Sequence, residues 1–118
     1  PHLAREACVM TLLASVPAVP QIYHFTSINA LLPFSVMEIL QGCTLTARFK
    51  EIQDGSDPMD ALEAAEIGDA LLRGVDQCHK EQVVNLGLQP DTVWVSKPTS
   101  AARVRLLDWE LSHTPRLS

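Results

Sequence analysis

The chain has 118 residues, of which 47% are hydrophobic, so it can form one small domain with a buried core. Nine Lys and Arg residues stand against fourteen Asp and Glu residues, which gives a formal net charge of -5. This balance argues against nucleic acid or an anionic membrane as a partner, because both require a positive patch. The apolar stretch at residues 9–19 is too short to span a bilayer and is interrupted by proline.

The cysteines indicate a reducing environment. Cys8, Cys43 and Cys78 are odd in number, far apart, and lack the spacing of a metal site. We therefore expect reduced thiols in an intracellular, cytoplasmic protein. The chain begins at Pro1 without a Met, so we also expect it to be a segment of a longer protein.

The N-terminal third is expected to contain one helix and two strands. Apolar residues recur with helical spacing over residues 3–14, and the prolines that follow end this helix. Aromatic and β-branched residues predict strands at 21–26 and 33–39. Residues 27–32 would join the two strands as a hairpin.

Shorter elements follow, on either side of a long helix. Gly42 marks a break, and residues 44–52 are typical of a short helix. Two apolar strands are predicted at 92–96 and 103–107, joined by the loop 97–102. One side of the short helix would present Leu45, Phe49 and Ile52.

The long helix is predicted over residues 58–79. Asp57 is placed to cap it, with Pro58 in its first turn. Gly68 and Gly74 weaken the helix by roughly 1 kcal/mol each relative to Ala, and close helix packing is the usual reason for such glycines. Its buried face would consist of Leu62, Ala65, Ile67, Ala70, Leu71, Val75 and Cys78.

Three sequence features occur in a fixed order. The apolar run 36–42, Val-Met-Glu-Ile-Leu-Gln-Gly, comes first, and the pair Cys-His at 78–79 ends the long helix six residues before Asn85. The run Leu-Gln-Pro-Asp at 88–91 then precedes a hairpin that leads into Leu-Leu-Asp-Trp-Glu-Leu at 106–111. This order resembles the protein kinase domain, from its C-helix to just past the Asp-Phe-Gly motif.

The resemblance implies an α+β, protein-kinase-like fold that is partial. Residues 1–41 would form part of the N-lobe and the hinge, and residues 42–118 part of the C-lobe. The early segment, from the Arg-Glu pair at 5–6 to the run at 19–25, is also similar to the bacterial aminoglycoside phosphotransferases. These phosphotransferases share the kinase fold.

The resemblance also implies a nucleotide site, with ATP and Mg²⁺ as cofactors. Met37 would be the gatekeeper, and the backbones of Glu38 and Leu40 would hydrogen-bond an adenine ring held between apolar walls. By resemblance Trp94 would lie near the floor of the adenine pocket, where a tryptophan would fill space that the base needs, but the interpretation that we favour is a core aromatic. Glu6 would be the C-helix glutamate, and its alternative is a solvated helix residue.

The reactive groups of the catalytic loop are largely missing. A kinase orients the acceptor hydroxyl with a base aspartate and holds Mg²⁺ with an asparagine and a second aspartate. By resemblance, Asp108 is this second, metal-binding aspartate and is retained. Asp91 is a candidate substitute base, but its distance from Gly87 predicts that it points elsewhere. The degenerate positions are Asn85 for His, Gly87 for the base Asp, Gln89 for Lys and Thr92 for the metal-binding Asn.

The sequence therefore favours a pseudokinase with a regulatory or scaffolding role in a larger signalling protein. Its partners would be proteins or other domains of the same chain. An active or weakly active ATP-dependent Ser/Thr protein kinase is the alternative. A small-molecule phosphotransferase and a non-kinase α+β interaction module are further alternatives.

Overall fold

The computed structural model describes residues 2–26, 34–97 and 102–117, and in these ranges the chain is mixed α+β. None of the helices in the described ranges is both long and apolar enough to cross a membrane. A short 3₁₀ turn, Pro90–Thr92, precedes the fourth strand. The elements are α1 (His2–Leu12), β1 (Ile22–Phe25), β2 (Ser35–Met37), β3 (Gly42–Thr44), α2 (Leu45–Asp54), α3 (Ala61–Lys80), β4 (Val93–Ser96) and β5 (Val104–Leu106).

The strands form two small antiparallel sheets. β1 pairs with β2, which confirms the predicted pairing, with Ile22 opposite Met37 and Phe25 opposite Ser35. The second sheet has the order β3-β4-β5 and contains the predicted second hairpin. The predicted hairpin link at 27–32 lies outside the described residues, as does most of the predicted loop at 97–102.

Gly42 does not break the structure but begins a strand, so the prediction of a break there is wrong. It lies opposite Ser96 of β4, and its backbone has a φ of 128°, a conformation that L side chains rarely adopt. A Cβ at this position would overlap the carbonyl oxygen of Val95 and lie 3.0 Å from its carbonyl carbon. The close approach of β3 to β4 therefore requires glycine.

The short helix α2 is confirmed, but its buried residue is charged. Thr44 caps it, with Oγ1 accepting a hydrogen bond from the backbone N–H of Ala47 at 3.1 Å. Leu45 packs against the core, whereas the other two apolar residues of its predicted side remain exposed, Phe49 by 46% and Ile52 by 36%. Within α2 it is Arg48 that is buried.

The long helix α3 is confirmed, but it starts later than predicted. Asp60 is its N-cap, with Oδ1 accepting from the backbone N–H of Glu63 at 2.7 Å, so the prediction of Asp57 as the cap is wrong. The reason is tertiary, because the carbonyl oxygens of Asp57 and Pro58 accept hydrogen bonds from the buried Arg48. These bonds hold both residues in a loop against α2.

The buried face of α3 is narrower than predicted. Ile67 and Cys78 are buried, and Ala70, Leu71 and Val75 pack against the core in part. Leu62 and Ala65 are exposed, so their predicted burial is wrong; Leu62 lines an open cavity between α2 and α3. A Cβ on Gly74 would come within 2.7 Å of the Ala18 Cβ, whereas one on Gly68 would meet nothing within 4 Å. Close packing therefore explains Gly74 only.

One core connects α1, α3 and the second sheet. The backbone N–H of Leu106 in β5 donates to the carbonyl oxygen of Ala18 at 2.7 Å, which ties the segment after α1 to the hairpin. Trp109, just beyond β5, is completely buried. The core thus fixes the turn at 107–109 beside α1. Its buried members are Val9, Met10, Leu13, Val16, Ala18, Val19, Ile67, Cys78, Val83, Val93, Val95, Val104, Leu106 and Trp109.

Candidate functional site

Asn85 joins the loop at 83–92 to the turn that carries Asp108. Its Nδ2 donates to the carbonyl oxygens of Leu107 and Asp108, each at 3.3 Å. Its Oδ1 accepts from the backbone N–H of Gly87 at 2.8 Å. The structure therefore brings together the two segments that the sequence marked as catalytic loop and metal-binding turn. The backbone N–H of Leu107 also donates to the carbonyl oxygen of Thr92 at 2.8 Å, so a side chain and a backbone bond hold the two segments together.

Thr92 is turned into the loop. Its buried hydroxyl lies 3.0 Å from the carbonyl oxygen of Gly87 and 3.1 Å from that of Gln89, and it accepts from the backbone N–H of Gln89 at 3.1 Å. A hydroxyl has one proton to donate and two lone pairs, so these contacts occupy most of its bonding capacity. Thr92 therefore closes the loop upon itself.

Steric crowding does not require glycine at residue 87. A Cβ there would lie 3.5 Å from Asn85 Oδ1 and 3.8 Å from the carbonyl oxygen of Asp108, which are ordinary van der Waals contacts. The loop can therefore accommodate a Cβ at this position. What is missing at this position is the carboxylate itself.

Asp108 stands on a fixed turn. Its φ is 60°, in the left-handed region, which Asp tolerates better than most residues. The neighbouring Trp109 anchors the turn, because its Nε1 donates to the carbonyl oxygen of Leu106 at 2.9 Å. The hydroxyl of Ser112 in turn donates to the carbonyl oxygen of Trp109 at 2.6 Å.

Glu6 faces the same turn from α1. Burial raises the pKa of its carboxyl, and the negative charge of Asp108 raises it further, against a hydrogen bond from the backbone of Trp109. The adjacent Arg5 donates to the carbonyl oxygen of Ser112 at 2.8 Å, which fixes the helix against the turn. The structure thus places Glu6 and Asp108 near one another, and Glu110 adds a further negative charge.

Gln89 and Asp91 lie away from this pair. Gln89 is exposed at the start of the 3₁₀ turn. The Oδ1 of Asp91 accepts a hydrogen bond from the hydroxyl of Thr46, which belongs to α2. The contact ties Asp91 to a different element and directs its carboxylate toward α2.

The predicted hinge is held by Glu38. Its backbone N–H donates to the carbonyl oxygen of Gln21 at 3.0 Å, and its Oε1 accepts from the backbone N–H of Gln21 at 2.8 Å. Its carboxylate also pairs with Arg105 of β5. Burial disfavours the charged carboxylate, but the hydrogen bonds from Gln21 and Arg105 outweigh it, so the pKa is lowered. Met37 precedes it and packs partly against the core.

Trp94 also contacts the predicted hinge. It is only partly buried and stands outside the core cluster, so its interpretation as a core aromatic is wrong; the buried tryptophan is Trp109. The indole Nε1 of Trp94 donates to the carbonyl oxygen of Gln41 at 3.2 Å. Gln41, the residue after Leu40, is therefore already bound by Trp94, the residue predicted at the floor of the adenine pocket.

These residues do not fit a kinase-type magnesium site. Mg²⁺ requires several oxygen ligands in a near-octahedral arrangement. Thr92 is committed to its own loop, and Gly87 offers no ligand, which leaves Asp108. Within the ranges that the structure describes, no group of three or more His, Cys, Asp or Glu residues is placed to hold a metal ion.

A second polar cluster was missed by sequence reasoning. The Nε and one terminal nitrogen of Arg48 donate to the Glu63 carboxylate at 3.1 and 2.8 Å, and Arg103 contacts the same carboxylate at 3.3 Å. The hydrogen bond from Arg48 lowers the pKa of Glu63 despite burial. The cluster lines a cavity of about 780 Å³ between α2, α3 and the second sheet. The sequence signal that could have indicated this cluster was Arg48, an arginine within an amphipathic helix.

Comparison with known proteins gives one informative similarity. No protein-family model matches the chain. It is 30% identical, over 105 residues, to a Caenorhabditis elegans protein described as "Putative ribosomal protein S6 kinase alpha-2". The match covers 89% of this chain but 13% of that protein, so the chain spans a small part of the relative's length. The α+β fold is confirmed, and the similarity agrees with a protein-kinase-like partial fold and supports a kinase-like relationship.

Proposed function

We propose that the chain is part of a protein-kinase-like domain that does not transfer phosphate and acts as a regulatory or scaffolding element of a larger signalling protein. The observation that carries this proposal is the state of Thr92. Its hydroxyl is buried and bonded within its own loop, at the position where the resemblance requires a metal ligand. The base position beside it is Gly87, which has no group to accept a proton.

The pattern of retained and lost residues supports this proposal. Phosphoryl transfer depends on positioning and on neutralising charge, so it needs the base and the metal ligands together. The residues that hold the loops in place, Asn85 and Trp109, make their full set of contacts. The base position has no side chain and Thr92 is turned into its own loop, so of the catalytic-loop and metal-turn groups only Asp108 is retained. A domain that retains the structural residues but not the reactive ones can keep its fold and bind partners, but it lacks a group to orient an acceptor hydroxyl.

The proposed partners are protein surfaces, within the same chain or in trans. The net charge of -5 opposes binding to nucleic acid or to an anionic membrane. All three cysteines have free thiols, which supports a cytoplasmic location.

The test is a phosphotransfer assay with ATP and Mg²⁺ on the natural protein that contains the chain. We expect turnover equal to that of an Asp108→Ala variant, which removes the remaining metal-binding group. Turnover well above the Asp108→Ala background would overturn the proposal. The double variant Gly87→Asp, Thr92→Asn supplies a comparison, because a Cβ at residue 87 would make only ordinary van der Waals contacts.

An active kinase with an unusual loop is the second candidate. Two observations favour it: Asp108 keeps a left-handed backbone on a fixed turn, and Glu6 lies close enough to feel its charge. This candidate requires another group to orient the acceptor hydroxyl. The same assay decides between the two candidates, since an active kinase predicts ATP turnover that disappears in the Asp108→Ala variant.

A further inference from the structure

We propose that Trp94 and Arg105 form a two-point clasp that holds segment 38–41 on the β4–β5 hairpin and closes this face to a planar ligand such as a nucleotide base. The inference rests on the proposed function, because it explains why such a domain would be independent of nucleotide. It concerns the base-binding side of the site, whereas the loss of phosphotransfer concerns Gly87 and Thr92.

The clasp begins with a cross-strand pair. Trp94 of β4 lies directly opposite Arg105 of β5. Side chains alternate between the two faces of a sheet, and directly opposite residues share a face. Because the flanking valines and leucine of both strands are buried, Trp94 and Arg105 lie on the other face, where both are partly exposed.

The two side chains bind the two ends of segment 38–41. Arg105 pairs with the carboxylate of Glu38 through both terminal nitrogens, and the two side chains are only 16% and 19% exposed. Trp94 donates to the carbonyl oxygen of Gln41. Glu38 is bound to Gln21 through its backbone and its side chain, so the clasp also reaches the start of β1.

Opening this face has a definite cost. A planar ring that entered between the segment and the hairpin would displace the indole and separate the Glu38–Arg105 pair. Breaking one partner from a largely buried pair is strongly unfavourable, because a charge is left without compensation. The Nε of Arg105 is buried without a hydrogen-bond partner, so within this contact the arginine depends on Glu38. The indole itself is therefore the aromatic group that occupies this face.

Adenosine is the appropriate probe, since it carries the base without phosphate or metal. We expect no saturable binding to the wild-type chain below about 1 mM by calorimetry, and measurable binding to Trp94→Leu. The control is Arg73→Met, which removes an exposed pair on α3 and should behave as wild type. Equal binding by wild type and Trp94→Leu, or binding by neither, overturns the clasp.

A second measurement keeps the proposal testable if Trp94→Leu does not fold. In Trp94→Phe an aromatic ring is retained, although a smaller one, and the N–H is removed. We expect amide hydrogen exchange at residues 38–41 to rise at least about tenfold, with exchange in α3 unchanged. Unchanged exchange at 38–41 overturns the inference. Adenosine binding by the wild type without ATP turnover would overturn the clasp while leaving the proposed function intact.

Discussion

Gly42→Ala should destabilise the chain strongly, because it brings a methyl group against the backbone of β4. The added Cβ would overlap the carbonyl oxygen of Val95 and lie 3.1 Å from the Cα of Ser96. A non-glycine residue at a φ of 128° adds strain of about 1–3 kcal/mol, and forcing the strands apart adds about 1–3 kcal/mol. We therefore expect a loss of about 4 kcal/mol in the free energy of unfolding.

Urea unfolding followed by circular dichroism measures this loss. With a slope of about 2 kcal/mol per molar urea, the midpoint should fall by about 2 M. Gly68→Ala is the matched control: its Cβ meets no neighbouring atom within 4 Å, so it should stabilise α3 by about 0.5–1 kcal/mol. A loss below about 1 kcal/mol for Gly42→Ala would refute the close approach of β3 to β4.

Two other changes have defined outcomes. Arg48→Met should lower the free energy of unfolding in urea by about 3 kcal/mol, because it breaks a buried pair with Glu63. Arg73→Met at the surface should lower it by about 0.3–0.5 kcal/mol. Equal losses in the two variants would contradict the buried cluster. Glu6 has a raised pKa, so its contribution to the free energy of unfolding is full below pH 4.5 and is lost as pH rises through the folded-state pKa. Glu6→Gln should therefore gain in Tm relative to wild type between pH 4 and 7, and parallel pH profiles would contradict this.

Periodicity and spacing predicted the parts of the fold that depend on local sequence. The helical spacing before Pro17 located α1, aromatic and β-branched runs located the first hairpin, and short apolar runs located the second. That the loop and the turn belong together was implied by the resemblance to protein kinases, and Asn85 and the backbone bond from Leu107 to Thr92 now form their contact. The helices and strands were predicted because each is determined within a few residues of chain.

The errors lie where distant residues compete with local preference. Asp57 has the right sequence context for a helix cap, but Arg48 takes its carbonyl oxygen and moves the start of α3 to Ala61. Gly42 resembled a break because no sequence pattern shows that its backbone lies against Val95. The clasp was equally hidden, since the contact between Trp94 and Gln41 joins residues 53 positions apart.

Asn85 has a consequence for how the loop responds to its surroundings. A histidine at this place would change its charge between pH 5 and 8, and its hydrogen bonds would change with it. The amide of Asn85 has no proton to gain or lose in that range, yet it still donates to two carbonyl oxygens and accepts from one N–H. The hydrogen bonds that this amide makes between loop and turn therefore do not depend on protonation of the Asn85 side chain in that range.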